Sequence, residues 1–329
     1  MRGERCRRIL ITGSSGQIGT NLGLRLLAEG HDVVGVDVRA NSWSDAIPTT
    51  LLDLSDGGCS GGEVIAAAVG EPVDLVVHLA AGAKVHSSVC EPEGACANVL
   101  MAHAVLEYCR LGATPIIQSS SREVYGNLPN AVVDESLADF TRVLSPYAAG
   151  KLAVESFIHA YSRCFELRYL ICRLSNVYGR YDSDHERMER VVPHFIDHIS
   201  RGEPVTVFGE AKLLDFTYVD DVVEALRRGS ERLLRGEALN TTINVARGEG
   251  HSLVDLARMI GEAVGREPEI RLKPAQVGEV TRYVADTRRC AELLGWNAEV
   301  GLREGVGRAV AWKRSLDSSL RSLPSAISA

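Results

Sequence analysis

The stretch Arg8-Ile9-Leu10-Ile11-Thr12-Gly13-Ser14-Ser15-Gly16-Gln17-Ile18-Gly19 decides the fold. A short β-branched run passes directly into three glycines spaced Gly-x-x-Gly-x-x-Gly, and the pattern then turns helical, with Ile18, Leu22 and Leu26 on one stripe. Strand, glycine turn and helix, in that order, form the setting in which glycines signal a dinucleotide site. They permit a tight turn and close approach of backbone to a pyrophosphate, while the helix N-terminus offers N–H groups with no partner inside the helix. Gly13, Gly16, Gln17, Ile18 and Gly19 are therefore the expected cradle. A glycine turn that binds nothing is the plainer alternative.

Outward from this stretch, strand-like runs at Arg8 to Thr12, Asp32 to Asp37, Leu75 to Leu79, Thr114 to Gln118 and Leu167 to Arg173 alternate with helical patterns near 17–29, 93–110 and 147–163. Such alternation implies an α/β fold, a doubly wound parallel sheet covered on both faces. After Arg173 the pattern loosens: a helix near 189–201, a strand Val205 to Phe208, a helix from Asp220, and further pieces to about 317. The expected organisation is a dinucleotide domain over 1–175, a smaller, partly interleaved C-terminal substrate-binding domain mainly over 176–317, and a flexible tail over 318–329. Residues of about 215–245 are expected to return to the first domain. Gly126 to Val143 is polar and long enough for a mobile loop near a cleft.

Asp37 ends the second strand 18 residues beyond Gly19, where a carboxylate accepts hydrogen bonds from the adenosine ribose and repels a 2′-phosphate. NAD is thus favoured over NADP, with Arg39 close enough to soften the preference. Asp53, before Leu54, is placed to accept from the adenine amino group or, equally, to cap a strand end.

A second constellation carries chemistry. Ser121 precedes Pro146-Tyr147, which opens a helix, and Lys151 follows the tyrosine by four residues, on the same helical face. An ammonium roughly 4–5 Å from a phenol favours the phenolate by about 3–4 kcal/mol at an effective dielectric near 20. A tyrosine that ordinarily ionises near ~10 then becomes a base close to neutral pH. Ala148, Ala149 and Gly150 would keep that face small where a flat ring must approach.

Composition excludes other classes. The 329 residues are 45% hydrophobic and 24% charged, as in an ordinary globular protein, and the net charge of −7 argues against a nucleic-acid binder. No apolar run reaches the roughly 18 residues of a membrane span, and the first strand is too short for a signal peptide. The cytoplasm is the expected location. Eight scattered cysteines without a Cys-x-x-Cys pair read as reduced core residues. His194 and His198 share a helix face but lack a third ligand, so no metal is expected.

These residues resemble the extended short-chain dehydrogenase/reductases that modify nucleotide-diphosphate sugars, enzymes of the UDP-glucose 4-epimerase kind. The resemblance runs from Thr12-Gly13 to Leu294-Gly295-Trp296. It includes His78-Leu79-Ala80-Ala81, Asn98-Val99, Ser119-Ser120-Ser121-x-x-Val124-Tyr125-Gly126, Tyr147-x-x-x-Lys151, Arg173-x-x-Asn176 and Asp215-Phe216-Thr217-Tyr218-Val219-Asp220-Asp221. It implies a Rossmann-like domain holding NAD throughout each turnover, with Leu54, Leu79, Ala80, Ala81, Asn98 and Ser119 beside the cofactor. Tyr147 would take the proton from a sugar C4 hydroxyl, Lys151 would hold the tyrosinate and the ribose, and Ser121 would hydrogen-bond the same oxygen. Lys84, His86, Arg122, Asn176, Arg187, Val192, Lys212 and Arg282 are the implied substrate contacts. The helices near 93–110 and 147–163 imply a homodimer.

Two departures from the family pattern matter. Glu210-Ala211-Lys212-Leu213-Leu214 has leucine where relatives place a diphosphate-gripping arginine, leaving Lys212, Arg187, Arg190 or Arg282 to supply the charge. Arg122-Glu123 stands where 4,6-dehydratases carry an acid and a base; glutamate is kept as a potential catalytic base, but arginine cannot donate a proton at neutral pH. The expectation is a C4 epimerase. A dehydratase or uronic-acid decarboxylase using Glu123 is the alternative, and a non-catalytic NAD-binding sensor a remote one.

Overall fold

The computed structural model describes residues 6–56, 60–83, 85–129, 132–182 and 190–321, without the side chains of His86 and of 317–321. In chain order the elements are β1 (Arg8–Thr12), α1 (Gln17–Ala28), β2 (Asp32–Asp37), β3 (Thr49–Leu51), α2 (Gly61–Val69), β4 (Leu75–His78), α3 (Val85–Cys90), α4 (Glu93–Gly112), β5 (Ile116–Ser121), α5 (Pro146–Phe165), β6 (Tyr169–Leu174) and β7 (Asn176–Tyr178). There follow α6 (Val191–Arg201), β8 (Val205–Phe208), β9 (Leu213–Tyr218), α7 (Val219–Leu234), β10 (Thr241–Val245), β11 (Gly250–Ser252), α8 (Leu253–Val264), β12 (Ile270–Lys273), β13 (Arg282–Tyr283), α9 (Arg288–Leu294) and α10 (Leu302–Arg321).

Seven strands form one parallel sheet in the order β10-β6-β5-β4-β1-β2-β3. The period of two in β1 sorts its side chains between two cores. Ile9 and Ile11 join Leu22 and Leu26 of α1 and Val222 and Leu226 of α7, whereas Leu10 joins Ile65 of α2, Val105 of α4 and Val154 of α5. This is the Rossmann-like, doubly wound α/β arrangement. Strand order reverses between β1 and β4, and a ligand crevice opens at the carboxyl ends of strands at such a point.

The first core continues through Tyr178, Phe195, Phe216, Leu256 and Val310 into a smaller assembly. There β9 pairs with β7, β11 and β13, β8 pairs with β12, and α6, α8 and α10 pack together. Strand β10 pairs in parallel with β6, so the chain re-enters the large sheet after β9 has joined the small one.

Several local expectations change. Within Gly126–Val143, Leu128 and Val133 are buried against Val280, Tyr283 and Ala285, and none of the segment's described residues lines the main cleft. A backbone bridge between Val133 and Ala285 supplies the anchoring that polar composition concealed. Gly150 faces α4 instead of a ligand: a Cβ there would lie 3.1 Å from the Ala95 carbonyl oxygen, and Ala149 is exposed. Helix α10 runs through 318–321, because a nucleated helix propagates through residues of middling propensity; 322–329 lie outside the described residues. Of the described cysteines only Cys109, Cys172 and Cys290 are buried, while Cys6, Cys90, Cys96 and Cys164 are exposed. Among the described residues no helix is long and apolar enough to cross a membrane, and no group of three or more potential ligands could hold a metal ion.

Candidate active site

At the strand-order reversal lies a cleft of about 1450 Å³. Gly13, Gly16, Gln17, Ile18 and Gly19 line it at the start of α1. Gly13 has φ +73° and a Cβ there would meet the Ala80 nitrogen at 2.7 Å, while one on Gly19 would strike the Gly13 carbonyl. The helix N-terminus has no side-chain cap, which leaves its N–H groups facing the cleft. Asp37 accepts from the Ser15 N–H at 3.0 Å and the Arg39 N–H at 3.2 Å, holding its carboxylate at the end of β2.

Leu54, Leu79, Ala80, Ala81 and Ser119 also line the cleft. Asn98 acts from behind them: its side chain accepts from the Gly82 N–H at 2.7 Å and donates to the Gly82 carbonyl at 3.1 Å, fixing the turn after β4. His78 has a role that no spacing in the sequence marks. It is buried next to Thr12, with Nδ1 and Oγ1 2.6 Å apart, and burial pushes its pKa down to about 3, so it is a neutral pin between β1 and β4. Asp53 stands apart from the cleft; exposed, it accepts from the Ser55 amide and hydroxyl at 2.9 and 2.6 Å, the capping alternative.

The reactive centre lies deeper. The Ser145 side chain caps α5, accepting from the Ala148 N–H at 3.2 Å, with Pro146 in the first turn. This cap presents Tyr147 and, one turn later, Lys151 to the cleft. Tyr147 is hydrogen-bonded to Ser121, which also caps the turn after β5 through the Glu123 N–H. The expected lowering of the phenol by Lys151 is not what this protein shows. Burial pushes Tyr147 up to about 12, opposed first by the Ser121 hydrogen bond, and pushes Lys151 down to about 8. The ammonium is directed to the Ser119 carbonyl at 3.0 Å, and a simple Coulombic attraction between the two groups leaves out the cost of desolvating them.

Directly after Ser121, Arg122 pairs with Glu123 at 2.8 Å and donates to the Asn176 side chain at 3.2 Å. Burial raises the Glu123 pKa, with Arg122 opposing. Lys212 lines the same cleft, buried against Glu279 at 2.6 Å. Val192 is buried there, and neighbouring Arg190 pairs with Asp182 at 3.2 Å and donates to the Gln17 side chain. Arg282 is exposed on β13 and outside the cleft. Lys84 and Arg187 lie outside the described residues, as does the side chain of His86. Sequence reasoning missed Trp43, Tyr181 and Glu279, which also line the cleft; no local spacing marks them.

Residues 9–246 match the profile of the NAD dependent epimerase/dehydratase family. The chain belongs to this family. It is an NAD-dependent epimerase, and NAD is its cofactor. It is 32% identical over 321 residues to a UDP-glucose 4-epimerase of Mycolicibacterium smegmatis, covering 94% of this chain and 99% of that one. A probable UDP-glucuronate 4-epimerase of Rhizobium meliloti is 29% identical, with 93% and 96% covered. The crystal structure of the UDP-glucose 4-epimerase of Thermus thermophilus in complex with NAD superposes with a TM-score of 0.82 at 29% identity, covering 93% of this chain and 99% of that one.

The residues of this epimerase fit NAD on their own chemistry. Side chains at Gly13 and Gly19 would collide with backbone at the α1 N-terminus, a geometry suited to close contact with a pyrophosphate. Asp37 offers ribose an acceptor and a 2′-phosphate only like charge.

Proposed function

We propose that this epimerase inverts C4 of a nucleotide-diphosphate sugar through a transient 4-keto sugar. The observation that carries the reading is the Ser121–Tyr147 hydroxyl pair beside buried Lys151, all three lining one cleft. As tyrosinate, a form that its burial disfavours and that the positive charge of Lys151 and of bound NAD would favour, Tyr147 takes the proton from the C4 hydroxyl and returns it after the sugar has turned. Ser121 donates to the same sugar oxygen, and Lys151 places positive charge behind the phenol. Bound NAD would accept the C4 hydride and, once the 4-keto sugar has turned, give it back to the opposite face. Among the cleft-lining cations, Lys212 and Arg190 would meet the diphosphate, each giving up its present carboxylate partner, Glu279 or Asp182, and Asn176 supports the sugar through Arg122.

Arg122 favours epimerisation over elimination: it stands where a dehydratase carries its acid, and a guanidinium paired to Glu123 at 2.8 Å has no proton to give at neutral pH. Turnover in D2O tests this. C4 inversion is expected with carbon-bound hydrogens unexchanged; deuterium at C5, loss of water or loss of carbon dioxide would make the enzyme a lyase. The substrate is sought with UDP-, GDP-, CDP- and dTDP-sugars, uronic acids included, with product mass and NMR as readouts.

The working unit is proposed to be a homodimer. Helices α4 and α5 pack side by side and leave Leu100, Leu111, Phe157 and Phe165 exposed. Sedimentation at micromolar concentration is expected to give a dimer, and a monomer would refute it.

A further inference from the structure

Three aromatic rings from distant parts of the chain meet at the rim of the cofactor cleft. Trp43, between β2 and β3, lies 5.6 Å from Tyr181, which follows β7, and 5.5 Å from Trp312 of α10. Tyr181 and Trp312 are 5.8 Å apart, so every ring touches the other two. Trp43 and Tyr181 line the cleft, whereas Trp312 backs them from outside it.

Both cleft-lining rings are tied to the glycine turn. The Trp43 N–H donates to the Asn41 side chain at 2.9 Å, and Asn41 in turn donates to the Ser14 carbonyl at 3.2 Å and the Thr20 hydroxyl at 3.0 Å. Beside Tyr181, the Arg180 carbonyl accepts from Asn21 of α1 at 3.3 Å. Tyr181 itself has φ +59°, a left-handed conformation that a bulky residue adopts only where its surroundings impose it. The rings therefore join two segments that approach the dinucleotide-binding turn from separate directions.

We infer that Trp43, Tyr181 and Trp312 form a clasp across the cofactor groove that sets how long NAD is retained. A dinucleotide seated on the glycine turn leaves only when the two segments part, and parting them breaks the ring contacts. Trp312 is a positioning residue: it acts through Trp43 and Tyr181. The inference rests on the cofactor and not on the reaction at C4, so the D2O outcome leaves it standing or falling by itself.

The test measures exchange of bound NAD against radiolabelled NAD in the purified holoenzyme, with NAD content after denaturing extraction. Trp312→Ala is expected to exchange about tenfold faster, since an aromatic contact of this kind holds close to that factor, and to retain less NAD on purification. Trp312→Phe is expected to stay within about twofold of the parent, because a ring is kept. Tyr181→Ala provides a second exchange measurement should Trp312→Ala fail to fold. Parental exchange in the alanine variants, or Trp312→Phe exchanging as fast as Trp312→Ala, overturns the clasp.

Discussion

The Lys151 ammonium lies 5.8 Å from the centroid of the Tyr147 ring and donates to the Ser119 carbonyl. One helical turn brings the two residues together, yet the lysine is anchored to β5 and not to the phenol. Its burial sets the first prediction. The Lys151 pKa falls from 10.5 to about 8, so between these values the unfolded chain binds more protons and stability rises with pH. Tyr147, raised from 10.0 to about 12, acts in the opposite sense, and its contribution falls as pH rises through that window. Lys151→Met should stabilise the cofactor-free protein at pH 7 by on the order of 1–3 kcal/mol, the gain shrinking as pH approaches 10.5. Denaturant titrations at several pH values check this; a gain independent of pH contradicts it.

Tyr147→Phe removes the hydroxyl bonded to Ser121 and leaves the buried ring in place. Turnover should fall by about 10²–10⁴-fold, the ordinary contribution of a positioned proton-transfer group, while bound NAD stays at the parental level. Full turnover in this variant would contradict every reaction considered for the site.

Gly13→Ala demands a left-handed alanine and places its Cβ 2.7 Å from the Ala80 nitrogen. Backbone on both sides prevents relief, so a stability loss of about 1–3 kcal/mol is expected, together with weakened NAD binding. Calorimetry of the cofactor-free and loaded protein measures the two effects separately.

Arg173 and Glu155 form a buried ion pair at 2.6 Å beneath the site, with Ser120 and Tyr125 hydrogen-bonded to it. Arg173→Met leaves the carboxylate buried without its charge partner and should cost about 3–5 kcal/mol. Adding Glu155→Leu should recover much of that loss, because the penalty is an uncompensated charge. A double variant no more stable than Arg173→Met would show that the pair's geometry, and not its charge balance, carries the stability.

The first strand illustrates how far a local pattern reaches. Arg8–Thr12 and the helix opened by Gly16 are where the sequence places them, because a change of hydrophobic period and a glycine turn are properties of neighbouring residues. Gly150 shows the limit: its smallness looked like room for a ligand, but the backbone it accommodates belongs to α4. Asp53 was ambiguous for the same reason, since its partner, Ser55, competes with a ligand only once the turn is formed.

The α/β class, the dinucleotide turn and the helical register of Tyr147 with Lys151 all follow from spacing along the chain. Tertiary structure alone decided that Lys151 points to Ser119, that Arg122 binds Glu123 and that Trp43, Tyr181 and Trp312 meet. These depend on desolvation and on how side chains fit across the folded protein, and neither the direction of a buried charge nor the closing of a ring cluster is encoded in local periodicity.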